Sequence, residues 1–220
     1  MDWDDDVDSP RRHFLETTGS AILIATLSVI AAGTRVLGDC LEALEPEQPP
    51  LPLDWFEDAF PNARPGSREA LAVVAKECRQ YRPRRLSYFL AQCAHETCGF
   101  ARLREIASGA AYEGRSSLGN TRKGDGRRYR GRGWLMLTGR YNYQRYEYAT
   151  GRPVIHQPEI VEDNVAIAAH TAGWYWRLIS GNLYADRSDF RGLTRAINGG
   201  YNGLNDRRRW LRRIESIAHF

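Results

Sequence analysis

The stretch that most constrains this chain runs from Arg84 to about Cys98. Leu86, Phe89, Leu90, Cys93 and Ala94 recur at i, i+3, i+4, i+7 and i+8, the spacing of a helix that buries one face. Glu96 lies three residues after Cys93, on the same stripe at its C-terminal end. A carboxylate there is either buried and paired or held at the lip of a cleft. Loss of water and the negative end of the helix dipole would both favour its neutral, proton-bearing form. That is the profile of a general acid.

The neighbouring segments also read as helices. Asp54–Phe60 suggests a short helix ended by Pro61, and Ser67 is a good N-cap for Arg68–Tyr81, with Leu71, Val74, Ala75 and Cys78 on one face. Asp163 or Asn164 caps a helix through Leu178 in which Ala168, Ala172 and Trp176 are spaced for packing. Asp189 begins a short helix ended by Asn198-Gly199-Gly200. Asn205 or Asp206 caps a last one whose Trp210, Leu211, Ile214 and Ile217 face inward, with Arg207–Arg209 and Arg212–Arg213 mostly on its solvated face. Leu118–Gly133 holds five glycines in sixteen residues, which predicts a long ordered loop or small hairpin of the kind that tends to carry function. With no alternating strand run and no internal repeat, the body is expected to be mainly α.

A chain of 220 residues accommodates one domain of about 150–200 residues and an appendage. Residues 1–44 supply the appendage: an acidic tail, then Arg11-Arg12, Phe14-Leu15 and an apolar run from Ala21 to Ala32. That order resembles a twin-arginine export signal, and the uncharged residues 17–34 are just long enough for an uncleaved membrane anchor. The protein is therefore expected to be exported, to the periplasm or the cell exterior, or tethered to a membrane. Residues 45–52 (EPEQPPLP) form a proline-rich linker, and a folded body is expected over 53–220.

Charge divides along the same boundary. Residues 1–50 carry three Arg against ten acidic residues, a net of −7, whereas the remainder carries 28 basic against 17 acidic, a net of +11. A basic body favours an anionic partner such as an acidic wall polymer, a membrane surface or nucleic acid. The four cysteines (Cys40, Cys78, Cys93, Cys98) show no CxxC spacing, which disfavours a zinc site. Cys78 could pair with Cys93 or Cys98 in an oxidising compartment, or all four could be small buried hydrophobes.

Two carboxyl groups flanking a cleft, one protonated and one ionised, are the minimum for cleaving a glycosidic bond. Glu96 fits the acid. Glu105, nine residues on and past the helix end, could lie across a groove as the base, and Glu113 competes for that role. His95-Glu96 has no second His four residues on, so it is not the metalloprotease motif, and no metal or cofactor is expected. Cys98 near His95 is a weak candidate nucleophile. The Gly/Arg/aromatic loop could bind RNA, but the uncharged donors and acceptors Thr138, Tyr141, Asn142 and Asn198, together with Trp134, suit sugar hydroxyls, acetamido groups and pyranose faces better.

Several ordered motifs then converge. Phe89-Leu90-Ala91-Gln92 running into His95-Glu96-Thr97, Tyr129-Arg130-Gly131-Arg132-Gly133, Leu137-Thr138, Tyr141-Asn142-Tyr143 and Ile197-Asn198-Gly199-Gly200 resemble family 19 glycoside hydrolases, the chitinase and phage-endolysin group. Tyr112-Glu113-Gly114-Arg115, Leu118-Gly119-Asn120-Thr121 and Gly124-Asp125-Gly126 are similar to the endolysin branch. The resemblance covers about Leu86 to Arg208. It implies a lysozyme-like, bilobed α-rich domain without a cofactor, hydrolysing β-1,4 links between N-acetylated sugars of peptidoglycan or chitin with inversion, as a monomer. Carried over, Glu96 would be the acid and Glu105 the base. His95, Tyr129, Trp134, Thr138, Tyr141, Asn142 and Asn198 would contact substrate or water, and Arg207 would support the acidic pair. Met136 departs from the glutamine more usual at its position, and Cys98 departs as well.

Overall fold

The computed structural model describes residues 49–219. The expected export or anchor segment, with Cys40 and the start of the linker, lies outside the described residues. Ten helices follow in order among them: α1 (Phe56–Ala59), α2 (Ser67–Glu77), α3 (Pro83–Thr97), α4 (Asp125–Arg128), α5 (Arg140–Thr150), α6 (Ile160–Asp163), α7 (Val165–Leu178), α8 (Gly181–Asp186), α9 (Phe190–Asn198) and α10 (Leu204–Ala218). Short 3-10 turns occupy Ala110–Tyr112 and Ser116–Leu118. Extended backbone among the described residues pairs only at the isolated bridges Arg104–Arg132 and Arg132–Leu137.

Helix α3 is the axis of the body. All five stripe residues from Leu86 to Ala94 are fully buried, and the helix packs against α10 and α8. Pro83 sits in its first turn, where the missing N–H would have had no partner anyway. Phe89 meets Trp176 of α7 edge-on at 5.2 Å, and Phe100, just past the helix end, meets Trp134 at 4.7 Å. Edge-to-face contacts of this kind lock ring orientation as well as burying area. The chain leaves the helix through Cys98, itself left-handed (φ 52°), so the turn begins one residue before the glycine expected to end it.

Two caps follow the sequence reading. Asn164 Oδ1 accepts from the Ile167 N–H (3.1 Å) and Asp189 Oδ1 from the Gly192 N–H (2.7 Å). Two do not. Ser67 is the first helical residue rather than the cap, and its hydroxyl donates to the Arg64 carbonyl (2.6 Å). Gly203 precedes α10 in a left-handed conformation (φ 72°), and a Cβ there would fall 2.3 Å from the His95 ring, so the position calls for glycine on both counts. Helices α5 and α8 were not expected; α5 buries only Tyr143 and Tyr146, too sparse a stripe to read as a period.

A second, smaller core gathers Tyr129, Leu137, Tyr143, Tyr146, Val154 and Val161. Between the cores runs the glycine-rich segment, which is not a hairpin over 118–133: it contains α4, and the tight reversal falls at 132–137. Polar pins hold it. Buried Asp125 accepts from Arg140 Nε (2.8 Å) and from the Arg122 N–H (3.0 Å), and the Arg140 bond holds its carboxyl below the usual range. Buried Arg132 donates to Glu162 (2.9 Å) and to the Arg128 carbonyl (2.8 Å). At Gly109 a Cβ would lie 2.4 Å from the Gly126 carbonyl oxygen, so two backbone segments meet where only glycine leaves room.

Candidate active site

The end of α3, residues 102–118, residues 135–138, the start of α5, the middle of α7 and the end of α9 enclose a cleft of about 650 Å³. Leu135 brings the larger core to its wall and Leu137 the smaller one. Both Glu96 and Glu105 line it; Glu113 does not.

Glu96 is partly exposed (20%) and is paired at Oε1 by Nη2 of Arg207, which is itself 1% exposed. The sequence had set burial and a helix end against Glu96, and the family resemblance had put Arg207 in support of the acidic pair. Arg207 sets a cation directly against that carboxylate. Arg207 was also expected on a solvated face of α10. It is buried instead, because α10 packs directly on α3 and a guanidinium at this turn finds two acceptors there. Its Nη1 donates to Gln92 Oε1 (2.6 Å), and Gln92 Nε2 donates to Thr194 Oγ1 (3.1 Å). The chain Thr194–Gln92–Arg207–Glu96 therefore ties α9, α3 and α10 behind one carboxylate. Gln92 and Thr194 were missed as site residues; only Gln92's place on α3, one turn before Glu96, hinted at it.

Glu105 is held differently. Its Oε1 accepts from the Gly131 N–H (3.0 Å), its Oε2 from the Tyr112 hydroxyl (2.9 Å), and its own N–H donates to the Gly131 carbonyl (3.0 Å). On the other side of the same bond, burial first and the Glu105 hydrogen bond second raise the Tyr112 phenol above its ordinary value. A hydrogen bond to a charged group is worth about 1.5–3 kcal/mol. If Glu105 acts on substrate, Tyr112→Phe is thus expected to lower kcat/KM about tenfold or more with little change in Tm. Initial rates on a soluble oligosaccharide check this, and an unaltered rate would mean that Tyr112 does not orient Glu105. Glu113, the competing carboxylate, is spent on structure: its two oxygens accept from the Gly124 (2.5 Å) and Gly126 (2.9 Å) N–H groups.

Of the polar residues expected at the substrate, Thr138, Asn142 and Asn198 line the cleft. Asn142 Nδ2 donates to the Thr138 carbonyl (2.9 Å) and Asn198 Nδ2 to the Asn202 carbonyl (3.2 Å), leaving each amide oxygen free of any partner among the described residues. The other four stand elsewhere. His95 points to the start of α10, where its Nδ1 meets Asp206 Oδ2 at 2.6 Å. Burial pushes the Asp206 carboxyl up, but the bonds from His95 and Arg209 hold it below its ordinary value. Tyr129 is 1% exposed, with its hydroxyl on the Ile155 carbonyl (3.1 Å). Trp134 is fully buried against Phe100 and has no face for a sugar. Tyr141 is half exposed but opens onto a different hollow. Three of these are aromatic or polar groups that a fold needs as much as a site does, and spacing alone does not separate the two uses.

Sequence reasoning also missed Arg102, Arg104 and Arg115 on the cleft wall. Arg104 is paired with Glu162 (3.0 Å), whereas Arg102 and Arg115 have no acidic partner among the described residues. Met136 faces the cleft where a glutamine was the expectation for the family, so the wall is apolar there. Cys98 is an exposed thiol at the rim, and Cys78 and Cys93 are buried. Burial, with Glu96 nearby, pushes Cys93 well above the ordinary thiol range. Among the described residues no three His, Cys, Asp or Glu side chains gather closely enough to hold a metal ion.

Comparison with known proteins identifies the family. A Haemophilus influenzae protein named as containing a glycosyl hydrolase family 19 domain is 29% identical over 69% of this chain and 89% of its own length. A basic endochitinase of Vitis vinifera is 31% identical over 54% of the chain, and an Arabidopsis thaliana endochitinase is 30% identical over 61%. The chain spans about half the length of these plant relatives, 48% and 47%. Chitinase C of Streptomyces griseus shares the fold at a TM-score of 0.63 and 22% identity, covering 77% of this chain and 76% of that one. A class IV chitinase of Zea mays does so at 0.52 and 22%, over 83% and 90%. Residues 58–184 match the family model described as chitinase class I, so the chain is a mainly helical, lysozyme-like glycosidase of glycoside hydrolase family 19.

Proposed function

We propose that the protein hydrolyses β-1,4 links in an N-acetylated amino-sugar polymer, with inversion, using Glu96 as the acid and Glu105 as the base. The observation that carries this reading is that the two carboxyl groups line one cleft, each held by different partners. Glu105 receives two donors and keeps a lone pair for water. Glu96 has one oxygen on Arg207 and leaves Oε2 without a partner among the described residues. A glycan filling the cleft excludes water around Glu96, and that desolvation favours its protonated form against the pull of Arg207. The proton passes to the glycosidic oxygen as the C–O bond breaks. Glu105 takes a proton from a water that attacks the anomeric carbon from the opposite face. Inversion requires room for that water, roughly 6.5–9.5 Å between the carboxyl groups.

Asn142, Asn198 and Thr138 supply hydrogen bonds suited to hydroxyl and acetamido groups. The unpaired Arg102 and Arg115 favour an anionic glycan, peptidoglycan, over neutral chitin. In this reading the enzyme is monomeric, and residues 1–44 serve to export it to the periplasm or cell exterior or to tether it to a membrane. Hydrolysis of N-acetylated oligosaccharides followed by NMR is expected to release the α anomer first; a β product would sink the inverting assignment. Running purified peptidoglycan beside colloidal chitin ranks the two polymers directly.

A further inference from the structure

Tyr141 does not open into the catalytic cleft; it forms one end of a separate hollow of about 410 Å³, lined with Gln144, Arg145, Tyr148 and Trp174. Tyr148 is 95% exposed and Tyr141 53% exposed. Single exposed aromatics need no explanation, but two on one helix face beside the half-buried Trp174 do. Arg145 meets two of the three: its guanidinium lies 5.5 Å from the Tyr141 ring centre and 5.9 Å from that of Trp174, so these two rings are held by cation–π contacts before anything binds. Trp174 is further fixed edge-on against buried Tyr146 at 5.5 Å.

Tyr141 and Tyr148 are seven residues apart on α5, which places them on one face, about 20° short of two full turns and about 10 Å apart along the axis. In a β-1,4-linked glycan alternate sugars are flipped, so the same ring face recurs once per disaccharide, and that repeat is close to the same length. The hollow lies beside the cleft, since Tyr141 on its edge is followed in the chain by Asn142 on the cleft wall. Asn142 and Leu118 line the cleft, and their chain neighbours Tyr141 and Gly119 pack so closely that a Cβ on Gly119 would lie 2.8 Å from Tyr141 Cβ.

We infer that the Tyr141–Tyr148–Trp174 ledge is a second glycan-binding site, on which a β-1,4-linked amino-sugar chain continues after leaving the cleft. The inference rests on the proposed substrate class. The pyranose faces stack on the rings, while Arg145 and Gln144 offer donors to hydroxyl, acetamido or carboxylate groups. Holding the polymer at two places raises its local concentration at the cleft; short oligosaccharides cannot reach both.

The test uses the full chain. In a Glu96→Gln background, binding to colloidal chitin and to purified peptidoglycan is measured with and without Tyr148→Ala, the two polymers distinguishing the source of the glycan. Tyr148→Ala is expected to weaken binding about three- to tenfold on at least one polymer, and Tyr148→Trp to retain it. In the active background, Tyr148→Ala is expected to leave hydrolysis of short soluble oligosaccharides unchanged while slowing release from the polymer. Trp174→Leu, checked for an unchanged Tm, should repeat the pattern. Equal binding of parent and Tyr148→Ala to both polymers, or equal slowing on oligosaccharide and polymer, overturns the ledge. If neither polymer is bound but oligosaccharides are still cut, the ledge falls and the glycosidase reading stands. Tyr148-dependent binding without any hydrolysis leaves the ledge and removes the proposed reaction.

Discussion

Glu96→Gln is expected to lower turnover about 10²–10⁴-fold, the usual contribution of a positioned general acid, while the protein still folds and still binds polymer. Glutamine is the informative replacement because of Arg207. That guanidinium is 1% exposed and has one bond to Gln92 and one to Glu96. A glutamine oxygen can still accept from Nη2, whereas alanine would strand a buried cation, and breaking a buried pair by removing one partner costs about 3–5 kcal/mol. Glu96→Ala would thus confuse lost chemistry with lost stability. Circular dichroism and a polymer-binding assay verify the Gln variant's fold, and initial rates on a soluble oligosaccharide give the effect. A Gln variant that turns over normally would remove Glu96 from the reaction.

Comparing Glu105→Gln with Glu113→Gln should separate base from scaffold. Glu105→Gln keeps an oxygen for the Gly131 N–H or the Tyr112 hydroxyl but cannot take a proton from water, so kcat is expected to fall about 10²–10⁴-fold. Glu113→Gln weakens two backbone bonds at an exposed turn, and its rate is expected to stay within a few-fold of the parent, with a small drop in Tm. Azide offers a second reading of the first variant: as a small external nucleophile it needs no base, and it should restore product formation with Glu105→Gln but not with Glu96→Gln. A Glu113→Gln protein that loses turnover while Glu105→Gln keeps it would reverse the two roles.

The fold was legible where burial imposes a strong period. The α3 stripe, the α7 spacing of Ala168, Ala172 and Trp176, and the caps Asn164 and Asp189 depend on residues within one or two turns. Helix α5 was not legible, because Tyr143 and Tyr146 bury it on one narrow line while the rest of it faces solvent. The glycine-rich loop announced itself by composition, but its path did not. Asp125–Arg140, Asn120–Tyr112 and Arg132–Glu162 fix it through partners 8 to 30 residues away.

The candidate site divides along the same line. Local spacing alone marked Glu96, because a carboxylate at the end of an apolar stripe is costly unless used or paired, and the ordered motifs marked the glycosidase family. Tertiary packing decided what surrounds that carboxylate: Arg207 reaches Glu96 only because α10 lies against α3. It also decided that Glu105 and not Glu113 faces the cleft, that Trp134 and Tyr129 serve the cores, and that Tyr141 turns outward to a second surface. A sequence fixes which side chains share a helix face. Which faces meet, and so which charges are paired or left open to a ligand, depends on contacts between residues far apart in the chain.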